Sequence, residues 1–219
     1  MAETGTTTPR ERYRAQVRAE VKERAWEQIA TAGASALSLN AIAKQMGMSG
    51  PALYRYFAGR DELITELVRD AYRSLADTFR ATSAAGGDLT GLAHALRTWA
   101  LADPHRYFLV YGTPVPGYHA PDDVTTIASE IMTSLLDACA DLPADGPPTP
   151  LTARLEGLGD RWTAGHPAPP ATLHRALTCW TRLHGVLSLE LAGHFTDMGF
   201  DPALLYTAEL NTLTGQSPN

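Results

Sequence analysis

Residues 38–57 read Ser38-Leu-Asn-Ala-Ile-Ala-Lys-Gln-Met46, then Gly47-Met-Ser49, then Gly50-Pro-Ala-Leu-Tyr-Arg-Tyr-Phe57. Ser38 has the short hydroxyl side chain that caps a helix start. Leu39, Ile42, Ala43 and Met46 then recur on one helical face. Gly47 tolerates a positive φ and turns the chain sharply. Ser49 is positioned to cap a second short helix. Pro51 lies in its first turn, where a missing N–H costs nothing. Leu53 and Phe57, four apart, face inward. Two short helices around a tight glycine turn form the helix-turn-helix design.

The flanks extend this reading. Val17, Val21, Ala25 and Ile29 repeat at helical spacing, which predicts a helix over 11–32 ending near Gly33. Gly59 closes the motif. A longer helix is expected over 60–83, with Leu63, Leu67 and Tyr72 among its apolar positions. Further helices are expected over 88–102, 104–112, 121–141, 150–164, 169–196 and 201–214. The breaks between them fall at Pro104, 113–117, 143–148 and 166–170. No strand pattern is present. The expected architecture is all-α. Residues 1–9 form a disordered arm and 10–80 a three-helix helix-turn-helix domain with its linker helix. Residues 81–219 form a larger helical bundle for ligand binding and dimerisation.

Charge divides the same way. Residues 10–60 carry nine basic and four acidic side chains, a net +5; residues 61–219 carry nine and nineteen, a net −10. A basic end on an acidic body points to a polyanion partner, here double-stranded DNA. In such a motif the second helix enters the major groove with its first residues on base edges. Those residues are Gly50, Pro51 and Ala52; Ala52 suits a thymine methyl, and Arg55 suits a bidentate contact with guanine. Ser38 and Ser49 sit at helix starts that favour phosphate. Tyr54, Tyr56, Lys44 and Arg60 complete the expected DNA-contacting set. Arg10, Arg12, Arg14 and Arg18 add salt-sensitive attraction.

Residues 38–63 closely resemble the DNA-binding signature of TetR-type regulators. The shared features are Ser38, the Ile42-Ala43 pair, Gly47, Ser49, and Leu53-Tyr54-x-Tyr56-Phe57 followed by a basic residue. That residue is usually lysine, and Arg60 keeps its charge. The resemblance implies phosphate contacts by Ser38, Ser49, Tyr54 and Arg60. It also implies a homodimer on a near-palindromic operator, with repression as the default sign. Trp180-x-x-x-His184-Gly185, with Tyr107-Phe-Leu-Val-Tyr-Gly112 upstream, resembles a C-terminal subclass named for its Trp-His-Gly.

The body is read on its own terms. Over 169–196, Leu173, Leu177, Trp180, His184, Leu187 and Leu191 step by three and four, while Ala176, Cys179, Leu183 and Val186 are apolar elsewhere. The charged residues Arg175, Arg182 and Glu190 fall in one narrow stripe. A helix this apolar is buried on more than one side, and one side is expected to meet a partner subunit. Leu183, Gly185, Val186, Gly193, Leu205 and Ala208 are the expected dimer contacts, with both glycines inside the helix. Trp99, Tyr107, Phe108, Tyr111, Trp162, Trp180 and His184, with Tyr118 and His119 in the loop after Gly117, are candidates to line a cavity. Its expected occupant is an aromatic or lipophilic effector. A body that mediates protein interaction without ligand gating is the alternative.

Other functions lack their constellations. The seven histidines include no i,i+3 or i,i+4 pair, so no metal is expected. There is no G-x-S-x-G, P-loop or G-x-G-x-x-G, so no enzyme or cofactor is expected. Cys139 and Cys179 read as small buried hydrophobes. No apolar run reaches ~18 residues and the first residues lack a signal-peptide core, which suggests a cytoplasmic protein off the membrane.

Overall fold

A computed structural model describes residues 8–140, 142, 149–155 and 165–215. The first seven residues of the expected arm, the second half of the helix expected over 150–164, and Trp162 lie outside them. The described elements are α1 (Pro9–Ala32), a 3-10 turn (Ala34–Ala36), α2 (Leu39–Gln45), α3 (Gly50–Leu53) and α4 (Arg60–Ala84). They continue with α5 (Leu89–Ala102), α6 (Pro104–Tyr111), α7 (Asp122–Ala140), α8 (Pro150–Leu155), α9 (Pro170–Leu191) and α10 (Pro202–Thr214). The fold is all-α, and the described residues include no strand. No described helix is long and apolar enough to cross a membrane.

Local chemistry sets the helix starts. Thr8 and Glu11 form a reciprocal capping box at α1, with Pro9 at its first position. Ser38 caps α2 by accepting from the Ala41 N–H. Asp88 and Asp201 do the same for α5 and α10. Pro104 and Pro170, which read as breaks, are first residues of helices, as are Pro150 and Pro202. Proline has the right φ there and needs no N–H partner. Ser49 departs from expectation. It holds the extended N-cap backbone, but its hydroxyl makes no capping bond.

The chain divides into two compact units. The first comprises Met1–Asp70 and Phe108–Ala120. Its core is the one read from the sequence: Val21, Ala25, Ile42, Leu53, Phe57, Leu63 and Leu67 are all fully buried. Gly47 turns between α2 and α3 at φ +66. Gly50 lets α3 approach α2, because a Cβ there would meet Asn40 Oδ1 at 3.2 Å.

The second unit comprises Ala71–Tyr107 and Pro121–Asn219. Here α9 packs against α5, α7, α8 and α10. Cys139 and Cys179 are buried in its apolar cluster, as expected. Three readings of α9 need correction. The helix ends at Leu191 rather than 196, and Gly193 sits beyond it in a turn at φ +78. Its glycine therefore serves a left-handed bend, not close helix packing. Leu183 and Val186, expected at a dimer interface, are buried in the chain's own core. Arg175 is buried too, donating 2.6 Å to the Leu142 carbonyl. Glu190 pairs with Arg97 at 2.6 Å with little exposure, so only Arg182 of the charged stripe faces water.

Replacing Gly47 with alanine forces an L side chain into the left-handed region. This substitution is expected to cost about 1 kcal/mol net of the entropy alanine removes from the unfolded chain. Thermal unfolding of Gly47→Ala checks it; an unshifted midpoint would show that the turn does not depend on glycine.

Candidate nucleic-acid interface and effector region

The helix-turn-helix surface is assembled from within. Leu53 and Phe57 anchor α3 and the turn after it in the apolar core. The residues between them are then forced outward: Tyr54 and Arg55 are exposed and Tyr56 is half-buried. Lys44, Ser49 and Pro51 are exposed; Ser38, Gly50, Ala52 and Arg60 are half-buried. All ten expected DNA-contacting residues thus keep some access to solvent.

Two arginines hold this surface in place. Arg18 on α1 donates to the Tyr56 carbonyl, lies 3.4 Å from both Glu62 and Glu66, and stacks 4.1 Å from the Phe57 ring centroid. Arg60 donates to the carbonyls of Ala34 and Ser35 at 3.0 and 3.2 Å, tying the start of α4 to the 3-10 turn. The role of Arg18 is internal, so it does not belong with the arginines expected to attract DNA. The sequence carried no sign of this, because its partners lie about forty residues away. Arg14, one helical turn earlier, donates 3.2 Å to the Arg55 carbonyl and lies 5.8 Å from the Tyr56 ring centroid.

Comparison with known proteins agrees with this geometry. Residues 23–67 match the family described as bacterial regulatory proteins, tetR family, and residues 89–213 match the tetracyclin repressor-like C-terminal domain. The HTH-type transcriptional regulators Rv1816 of Mycobacterium tuberculosis (strain ATCC 25618 / H37Rv) and Mb1846 of Mycobacterium bovis (strain ATCC BAA-935 / AF2122/97) are each 35% identical over 229 residues, covering 97% of both chains. The chain belongs to the TetR family. A crystal structure described as that of a regulatory protein, SCO4313, is 69% identical with a TM-score of 0.88, covering 95% of this chain and 100% of that one. A Rhodococcus sp. RHA1 protein described as of unknown function shares the fold at 21% identity and a TM-score of 0.66, covering 100% of both chains. TetR-family proteins are DNA-binding transcriptional regulators, not enzymes.

The residues expected to bind an effector are drawn from both compact units. Phe108, Tyr111, Tyr118 and His119 belong to the first compact unit, and Trp99, Tyr107, Trp180 and His184 to the second. Within the second, Trp99 is buried with its indole N–H donating 3.1 Å to Ser74, and the Arg106 guanidinium covers its face at 4.7 Å. Trp99 is therefore core rather than lining. Tyr107 is fully buried as well, with its hydroxyl 2.9 Å from His184 Nδ1 and 2.8 Å from Ser188 Oγ. The Trp180 ring packs 4.1 Å from His184. Tyr118 bonds Thr65 at 3.2 Å within the first unit. Sequence reasoning missed Ser188, whose position one turn after His184 was its only signal. Among the described residues no group of three or more His, Cys, Asp or Glu is placed to hold a metal.

Burial governs the ionisation of this TetR body. It pushes the Tyr107 phenol up and holds His184 down at about 4, because the imidazolium would lose its hydration. An unfolded histidine takes up its proton near 6.5. Between these values the unfolded chain binds more protons than the folded one. The stabilisation is thus whole above pH 6.5 and is lost as pH falls toward 4. Lowering the pH from 7 to 5 should cost about 2 kcal/mol from this group alone. Chemical denaturation of wild type and His184→Gln at both pH values tests this. Equal pH dependence in the two proteins would exclude His184 as the source.

Proposed function

We propose that this chain is a cytoplasmic repressor that binds a near-palindromic operator as a homodimer and releases it when a small apolar or aromatic effector binds. The observation that carries the DNA half is the outward set around α3. Leu53 and Phe57 fix the backbone inside, which leaves Gly50, Pro51 and Ala52 to approach base edges. Ser38, Lys44, Ser49, Tyr54 and Arg60 surround them as phosphate donors. Tyr56 contributes from the turn.

The dimer half rests on an unpartnered apolar face of α9 and α10, which pack together. Gly185 and Leu189 on α9, and Leu204 and Ala208 on α10, are exposed, with Leu189 at 45% and Leu204 at 68%. Leu205 is half-buried beside them. Apolar faces on two long helices suit a four-helix interface with a second copy. Pairing sets two recognition helices about 34 Å apart, the spacing of successive major grooves.

The effector half is supported by Tyr107, His184 and Ser188 beside Trp180: a few converging polar groups in an apolar surround. An effector that prefers an unsuitable spacing of the recognition helices releases DNA by its differential affinity for the two states. Such coupling is typically about 1–3 kcal/mol.

Duplexes enriched from a random library by the wild-type chain supply the operator. Tyr54→Phe is expected to weaken binding to every duplex severalfold, and unchanged affinity would remove Tyr54 from the phosphate set. Gly185→Leu has open space in the single chain, where an added Cβ meets nothing within 4 Å. It should fold normally and sediment as a monomer; an intact dimer would move the interface elsewhere. Titrating aromatic and lipophilic compounds against tryptophan fluorescence and operator binding tests effector release. Operator binding indifferent to every compound would favour a body that mediates protein interaction instead.

A further inference from the structure

The described part of α1 begins well before the helix-turn-helix core, and its first turns end in a cationic hollow. A concavity of about 270 Å³ is lined by Arg10, Tyr13, Arg14, Arg55 and Tyr56. Arg10 and Arg14 are one helical turn apart and share a face of α1. Arg14 is tethered to the turn after α3 through the Arg55 carbonyl and the Tyr56 ring. Tyr13 is 63% exposed, an unusual place for a tyrosine with no surface to cover.

No carboxylate lines this hollow. The acidic residue nearest in sequence, Glu11, is turned to the helix cap, where its carboxylate accepts from the Thr8 N–H and hydroxyl at 2.7 and 2.9 Å. Among the described residues no ion pair neutralises Arg10, Arg14 or Arg55. Arg18 marks the contrast: one turn further along α1 it meets two carboxylates and a carbonyl. Like charges gathered without a counter-charge repel, and an entering anion relieves that repulsion. Guanidinium forks with tyrosine hydroxyls match the oxygens of a phosphodiester.

We propose that Arg10, Arg14 and Arg55, with Tyr13 and Tyr56, form a clamp for one stretch of operator backbone flanking the α3 contact. The proposal rests on the operator-binding reading above and deepens it. It also gives Arg55 a different task from the guanine contact its residue type suggests. Arg55 lies past the last residue of α3, beside α1, at the opposite end from Gly50 and Pro51. A side chain there holds phosphate and sets register, while the start of α3 reads bases.

The test uses the full chain and duplexes enriched by the wild type, with affinity measured from 50 to 200 mM salt. Each lost phosphate contact lowers the salt slope by about 0.9. Arg10→Ala, whose side chain holds no described partner, should lower the slope by about 1 per protomer. Arg10→Ala with Arg14→Ala should lower it by about 2 and weaken low-salt binding at least tenfold. Arg55→Ala should lower it by about 1 with an unaltered base preference in the enriched sequences. An unchanged slope in Arg10→Ala overturns the clamp, even if Arg14→Ala disturbs folding. A changed preference at one base in Arg55→Ala, with its slope intact, returns Arg55 to base reading and overturns its place in the clamp. A wild type that enriches no sequence defeats the operator reading and the clamp with it. A wild type that enriches sequences while the arginine variants bind normally defeats the clamp alone.

Discussion

The guanidinium of Arg18 is the constraint on which the DNA-facing surface depends. It joins three segments at one point: α1, the turn after α3 through the Tyr56 carbonyl, and α4 through Glu62 and Glu66 at 3.4 Å. It also covers the Phe57 ring at 4.1 Å. A four-residue helix such as α3 has almost no intrinsic stability, because its few hydrogen bonds cannot repay nucleation. Its position must come from tertiary contacts. Leu53 and Phe57 supply the apolar anchor, and Arg18 supplies the directional one. Partial burial makes that bond count for more than an exposed pair would, since neither partner is well served by water.

The same division between local and distant causes explains what could be read from sequence. The helix-turn-helix was legible because its determinants are neighbours: Ser38 caps its own helix, Gly47 bends its own turn, and Leu53 and Phe57 share one face. The all-α fold followed from periodicity for the same reason. The errors arose where a residue answers to something far along the chain. Arg175 read only as part of a charged stripe, but the Leu142 carbonyl supplies it a buried acceptor. Gly193 looked like a packing glycine, but the chain bends there to begin the approach to α10. Leu183 and Val186 looked like interface residues, since apolar periodicity cannot say whether the chain or its partner covers a face. Trp99 looked like pocket lining for a related reason. Its aromatic surface fills the core while Ser74 accepts from its indole N–H.

The body shows how a largely apolar unit accommodates polarity. Arg97 and Glu190 pair across α5 and α9, and the Tyr206 hydroxyl donates 2.7 Å to the Ala93 carbonyl between α10 and α5. Tyr107, His184 and Ser188 form a third internal group. Each polar atom so bound avoids the cost of an unsatisfied buried group. Such links are directional, so they fix helix register where apolar packing alone tolerates sliding.

Through Arg18, α1 holds the turn after α3, and DNA binding depends on that hold. Operator affinity of Arg18→Gln, measured by fluorescence anisotropy on the full chain, tests it most directly. Glutamine keeps much of the side-chain length but leaves Glu62 and Glu66 without their shared cation. The expected result is at least a tenfold loss of operator affinity. Affinity equal to wild type would contradict the claim and place the determinants of α3 elsewhere.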